Sequence, residues 1–163
     1  MKGEVLVAGI GNIFLGDDAF GVEVVNRLRT RALPDHVKIV DFGMRSYDLA
    51  YALMEDWDLI ILVDALPRGN EPGTLYTMRP ELPATTEAAT NLDAHMMNPV
   101  AVLQLVRALG GRPASILVVG CEPGNVEPDE QGTFALSPPV QAAVGEAIRT
   151  IGDLISRSKA IAA

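Results

Sequence analysis

The sequence predicts an α/β fold: a single-domain, three-layer αβα sandwich with helices on both faces of a twisted, mostly parallel five-stranded sheet. Three observations carry this prediction. Short apolar runs alternate with stretches of helical periodicity in the order β-α-β-α-β-β-α-β-α. The runs inside Glu4–Ala8 and Asp58–Val63 are apolar on both faces, as strands covered on both sides must be. Finally, 163 residues, 48% of them hydrophobic, suffice for one core and are too few for two ordinary ones, so residues 1–163 read as one domain.

The elements follow in order. Glu4–Ala8 is the first strand, and the glycines of GIGNIFLGDDAFG turn it into a helix whose Val22, Val25 and Leu28 share one face. Asp17 is placed to cap that helix, and Leu33–Pro34 ends it. Val37–Asp41 is the second strand. A helix from Ser46, as cap, to about Glu55 offers Leu49, Tyr51 and Leu53 for burial. Asp58–Val63 is the clearest buried strand, ended by Asp64. The turn-rich PRGNEPG leads to Thr74–Met78, an added edge strand of antiparallel sense. Arg79–Met97 is the longest connection, and connections of that length usually carry function. Asn98–Pro99 opens a helix with Asn as cap and Pro in the first turn, and Gly110–Gly111 ends it. Ala114–Val119 is the last core strand and Glu122–Phe134 a polar loop. Ser137–Pro138 starts a final helix with Val140, Val144, Ile148, Ile151 and Ile155 inward.

Composition narrows the function. No apolar run reaches the length of about 20 residues that a membrane span needs. The opening MKGEVLVAG is too short and too acidic to read as a secretory signal, and a lone cysteine, Cys121, allows no intrachain disulfide. A reducing cytoplasm is the expected location. With 13 basic against 21 acidic residues the net charge is −8, which argues against nucleic acid as partner.

The chemistry-bearing residues gather at strand ends. A dinucleotide loop needs glycine at its first, third and sixth places; Gly9 and Gly11 fit, but the sixth is Phe14. Asp17 and Asp18 at the helix start would also repel a pyrophosphate. The glycines are therefore read as serving a tight turn. Asp17 and Asp18 follow strand one, Asp41 ends strand two and Asp64 ends strand three. In a parallel sheet such ends line one edge, so these acids converge on one crevice. His36 reads as a solvated turn residue. His95, just before a helix, joins Asp18 and Asp64 in a set of two carboxylates and one imidazole that suits a borderline divalent ion such as zinc, nickel or iron. Cys121 is either a small buried thiol or a nucleophile served by His95.

The blocks AGIGNIFLGDDAFGVEV, LIILVDAL and DAHMMNPVAVL, with VVGCEP and LSPPV after them, resemble in order and separation the hydrogenase maturation endopeptidases, across nearly the whole chain. The resemblance implies an endopeptidase that removes a C-terminal extension from a nickel–iron hydrogenase large-subunit precursor after nickel insertion. It implies that Asp18, Asp64 and His95 contact nickel carried by that substrate, with zinc or cadmium as possible stand-ins in a crystal. It also implies that Asp18 and Asp64 are the catalytic carboxylates, as an acid/base pair or with metal assistance. Many members have Glu at the Asp18 position. The loop DFGMRSYD departs from the commoner Gly- and Thr-rich form, which bears on the hydrogenase class served. The other readings are a non-catalytic metal- or nucleotide-binding α/β accessory module, and a related α/β peptidase of the spore germination type.

Overall fold

The computed structural model describes residues 3–81, 97–113, 115–128 and 135–162. Five strands, β1 (Val5–Ile10), β2 (Val37–Gly43), β3 (Leu59–Ala65), β4 (Leu75–Met78) and β5 (Ile116–Cys121), form one sheet in the order β2-β1-β3-β5-β4. β1, β2, β3 and β5 run parallel, and β4 is the antiparallel edge strand expected from its sequence. Four helices complete the chain: α1 (Phe20–Leu28), preceded by a 3-10 turn at Gly16–Ala19, then α2 (Ser46–Leu53), α3 (Pro99–Ala108) and α4 (Pro138–Ala162).

Strand alternation divides the core in two. Val5 and Val7 of β1 with Leu59, Ile61 and Val63 of β3 pack against α1 and α4. Leu6, Ala8 and Ile10, with Ile60 and Leu62, pack against α2 and α3. Successive side chains of an extended strand point to opposite faces, so an unbroken apolar run is what a strand buried on both sides requires. The apolar positions predicted for α1 and α4 are all buried. In α2, Leu49 and Leu53 are buried, but Tyr51 is 59% exposed, since a helix against one sheet face hides only one stripe. Ser46 is the first helical residue and Arg45 holds the cap position without a side-chain bond, so the predicted serine cap is not formed. Asn98 does cap α3: its Oδ1 accepts the Ala101 amide at 2.9 Å.

α1 lies unusually close to the sheet. A Cβ on Gly21 would sit 2.0 Å from the Val63 carbonyl oxygen and 2.4 Å from that of Ile10. A Cβ on Gly9 would sit 2.4 Å from a Val25 methyl. Gly11 has φ of 148°, and a Cβ there would fall 1.9 Å from the Asp18 carbonyl oxygen. The loop is thus wound as tightly as backbone contact permits, with each critical position held by a residue that has no side chain.

Asp17 ties this loop to the far end of the chain. It does not cap the helix that follows it. Its fully buried carboxylate accepts the amides of Gly124 (2.8 Å), Asn125 (2.9 Å) and Ser137 (2.7 Å) and the Ser137 hydroxyl (2.7 Å). Its own amide donates to the Asn125 carbonyl at 2.7 Å. Burial pushes this carboxyl toward the neutral form, but the bonds from Asn125, Ser137 and Gly124 outweigh it and hold the pKa below the ordinary 3.8.

Removing the Asp17 carboxylate strands three amides and a hydroxyl. Asp17→Ala is therefore expected to lower the unfolding free energy by about 3 kcal/mol or more, read from urea denaturation at pH 7. Because the folded-state pKa lies below the unfolded one, this contribution is present above about pH 4 and is lost as the pH falls through the folded value. The gap between wild type and variant should narrow in acid.

Candidate active site

The carboxyl ends of β1, β2, β3 and β5 share one edge of the sheet. The chain goes from β1 outward to β2 on one side and then to β3 on the other, so the topological switch point lies between β1 and β3. Open α/β sheets carry their ligand crevice there, because the two outgoing loops part in opposite directions. Asp18 follows β1 and Asp64 is the penultimate residue of β3.

Asp64 is 2% exposed, and its Oδ1 is buried with no hydrogen-bond partner. Burial raises its pKa well above the ordinary carboxylate value, the nearby Asp18 charge raises it further, and the Ala65 amide opposes both. Asp18 is half-buried. Its Oδ2 accepts the Asn12 amide at 2.9 Å, and its own amide donates to the Leu15 carbonyl at 3.0 Å. Burial raises its pKa too, with the Asn12 amide pulling the other way. Two carboxyls close enough to feel each other, one of them dry and with one oxygen unpartnered, can share a proton or take up a cation.

The other acids diverge from the expected convergence. Asp41 lies on β2, paired with Gly9, one strand further out, and its charge does not figure among the influences on Asp64. Asp17 faces the β5 loop, as described above. His95 lies outside the described residues. Among those residues no three His, Cys, Asp or Glu side chains are gathered to hold a metal ion. Asn98 and Pro99, at the start of α3, do line one cavity of about 620 Å³ together with Leu66 and Pro67, which closely follow Asp64. By strand alternation Asp64 shares the face of Ile60 and Leu62, the face that α3 covers.

Cys121 is the small buried thiol of the two readings. It is fully buried, and burial, with the Asp17 charge adding to it, pushes its pKa up to about 12. A thiol so poorly ionised is no nucleophile. His36 sits in the turn before β2, half-buried rather than solvated, with Nε2 lacking a partner. Glu122 escaped the sequence reading. It is 4% exposed and accepts the Arg68 amide (2.7 Å), the Gly69 amide (2.8 Å) and the Tyr76 hydroxyl (2.9 Å), pinning the turn after β3. Its place directly after an apolar strand was the available signal, the same one that marks Asp64.

Comparison with known proteins gives the family. Residues 22–153 match the family model described as "Hydrogenase maturation protease". The chain is 34% identical over 150 residues to the hydrogenase 2 maturation protease of Escherichia coli K12, covering 90% of this chain and 87% of that one. It is 33% identical over 163 residues to the coenzyme F420 hydrogenase subunit delta of Methanothermobacter thermautotrophicus, covering 96% and 97%. Among solved structures, the hydrogenase maturating endopeptidase HybD from E. coli superposes with a TM-score of 0.75 at 33% identity, over 95% of this chain and 93% of that one. Agreement of sequence and fold along nearly the full length leaves one conclusion: the chain belongs to the hydrogenase maturation protease family, a family of peptidases.

Proposed function

We propose that this peptidase removes a C-terminal extension from the large-subunit precursor of a nickel–iron hydrogenase, and that it recognises nickel carried by the substrate through Asp18, Asp64 and His95. The observation that carries the reading is Asp64: a buried carboxyl with an unpartnered oxygen, destabilised further by a second carboxyl, at the switch point of the sheet. Such a group is costly to keep unless something fills the crevice, and a cation relieves both the burial and the repulsion. Two carboxylate oxygens and an imidazole nitrogen form a donor set suited to a borderline divalent ion. The cavity shared by the start of α3 and the residues after Asp64 supports His95 as the third donor, since His95 precedes Asn98 by three residues.

The same pair supplies hydrolysis of the aspartic type. With Asp64 ionised on the nickel, Asp18, less buried and held by the Asn12 amide, is the base that takes a proton from water as its oxygen adds to the scissile carbonyl, and it returns that proton to the departing amide nitrogen. This division of roles follows from the two environments.

Asp18→Ala, Asp64→Ala and His95→Ala are each expected to cut precursor processing at least about 100-fold while native circular dichroism is retained. Full activity in all three variants would refute the assignment. Nickel-loaded precursor is expected to be cleaved and nickel-free precursor left intact, read on a gel that resolves the extension; equal cleavage would refute nickel recognition. Asp64→Asn is expected to raise the thermal midpoint of the ligand-free protein at pH 7. The folded pKa of Asp64 lies above the unfolded one, so its penalty is absent below about pH 4 and grows as the pH rises to the folded value. The gain from Asn should vanish in acid.

A further inference from the structure

The loop tips beside Asp17 and Asp18 carry exposed apolar residues where nothing in the fold asks for them. Ile13 is 47% exposed, Phe14 58% and Val126 45%. Ile13 follows Asn12, whose amide holds the Asp18 carboxylate. Val126 follows Asn125, whose amide and carbonyl hold Asp17. The two tips are built alike. Asn12 Oδ1 accepts the Phe14 amide at 2.9 Å, and Asn125 Oδ1 accepts the Glu127 amide at 2.9 Å. Each asparagine thus closes a tight turn over one residue, and in both that residue is β-branched. β-branched residues are poor turn formers, and exposing them at loop tips gains no core.

The two tips are also one body. Gly16 packs against the second tip so closely that a Cβ there would lie 2.5 Å from the Asn125 carbonyl oxygen. Asp17 fastens both through its bonds to Gly124 and Asn125. No charged residue falls within Asn12–Gly16 or Pro123–Val126, in a chain that is 21% charged. A rigid, uncharged border with apolar tips thus runs beside Asp17 and Asp18, with Glu127 just outside it.

We propose that Ile13, Phe14 and Val126 form a docking rim that seats on an apolar surface of the folded precursor around its nickel. This rests on the function proposed above and deepens it. The acids suit a cation, and the rim suits the uncharged protein surface that surrounds a cation buried in a partner. Sealing that border would shield the acid pair from bulk water, leaving the one reacting water in place, and strengthen its interaction with the metal. Rigid presentation means that little order has to be gained on binding.

The test is steady-state processing of nickel-loaded precursor by the wild type, by Ile13→Ser/Phe14→Ser/Val126→Ser, by the single variant Phe14→Ser, and by Tyr47→Ser/Tyr51→Ser. The last removes two exposed tyrosines of α2, 62% and 59% exposed, as a control for general stickiness. The expected result is a KM raised about tenfold or more in the triple variant and to a smaller degree in Phe14→Ser, with kcat within about twofold and the α2 variant unchanged. A triple variant with wild-type KM, or an equal rise in the α2 variant, would overturn the rim alone. Should the triple variant fail to fold, an unchanged KM in Phe14→Ser overturns it equally. A wild type that leaves the precursor intact would remove the proposed function, and the rim with it.

Discussion

The Asp17 carboxylate is the point on which the working edge of this protein depends. Four donors from two distant segments converge on it, and all three loops involved meet where the sheet presents its crevice. A charge in so dry a place is tolerated only because every direction around it offers a donor. Its neighbour Asp18 has the same chemistry and the opposite surroundings, one amide and a second carboxyl close by. One acid is held ionised below its usual pKa and serves architecture. The next is pushed up, as is Asp64, and is free to change state. The division arises from one residue of chain advance through a tight turn, which sends adjacent side chains to different partners.

Close packing sets the same edge from beneath. Because Gly9 and Gly21 let α1 rest almost on the backbones of β1 and β3, the loop before it cannot swing. Asp18 is thus delivered by backbone geometry rather than by side-chain support. Asp64 is delivered by β3 itself, buried along its whole length and paired on both sides. The two proposed reacting groups stand on the most rigid parts of the molecule, as sites that demand positional precision generally do.

Much of this was legible in the chain because strand burial writes itself as an apolar run and helix burial as a spaced one. The alternation of strands and helices and the antiparallel edge strand were legible in the chain, whereas the order of the strands within the sheet came from the structure. All four parallel strands run two residues past their predicted ends: β1 to Ile10, β2 to Gly43, β3 to Ala65 and β5 to Cys121. At β1 and β5 the first residue beyond the predicted end is a glycine, and Gly9 reads from the sequence as part of the turn. Gly9 and Gly120 are instead strand residues made small for a neighbour: Val25 at the one, Leu66 at the other. Local chain chemistry does not distinguish a glycine that bends from one that makes room. Asp17 was misread for a related reason. Its bonding partners lie 107 to 120 positions away, beyond anything periodicity or spacing registers. The Asp18–Asp64 approach was recoverable because a topological rule, not a local one, brings strand ends together.

The antiparallel sense of β4 has a consequence for the cavity beside α3. β4 starts opposite Cys121 at the working edge and runs back to Met78, opposite Val118. Met78 and the residues that leave it, Arg79 and Pro80, line the same cavity as Asn98, Pro99 and Leu66. The edge strand, though outermost in the sheet, thus shapes the space in front of α3.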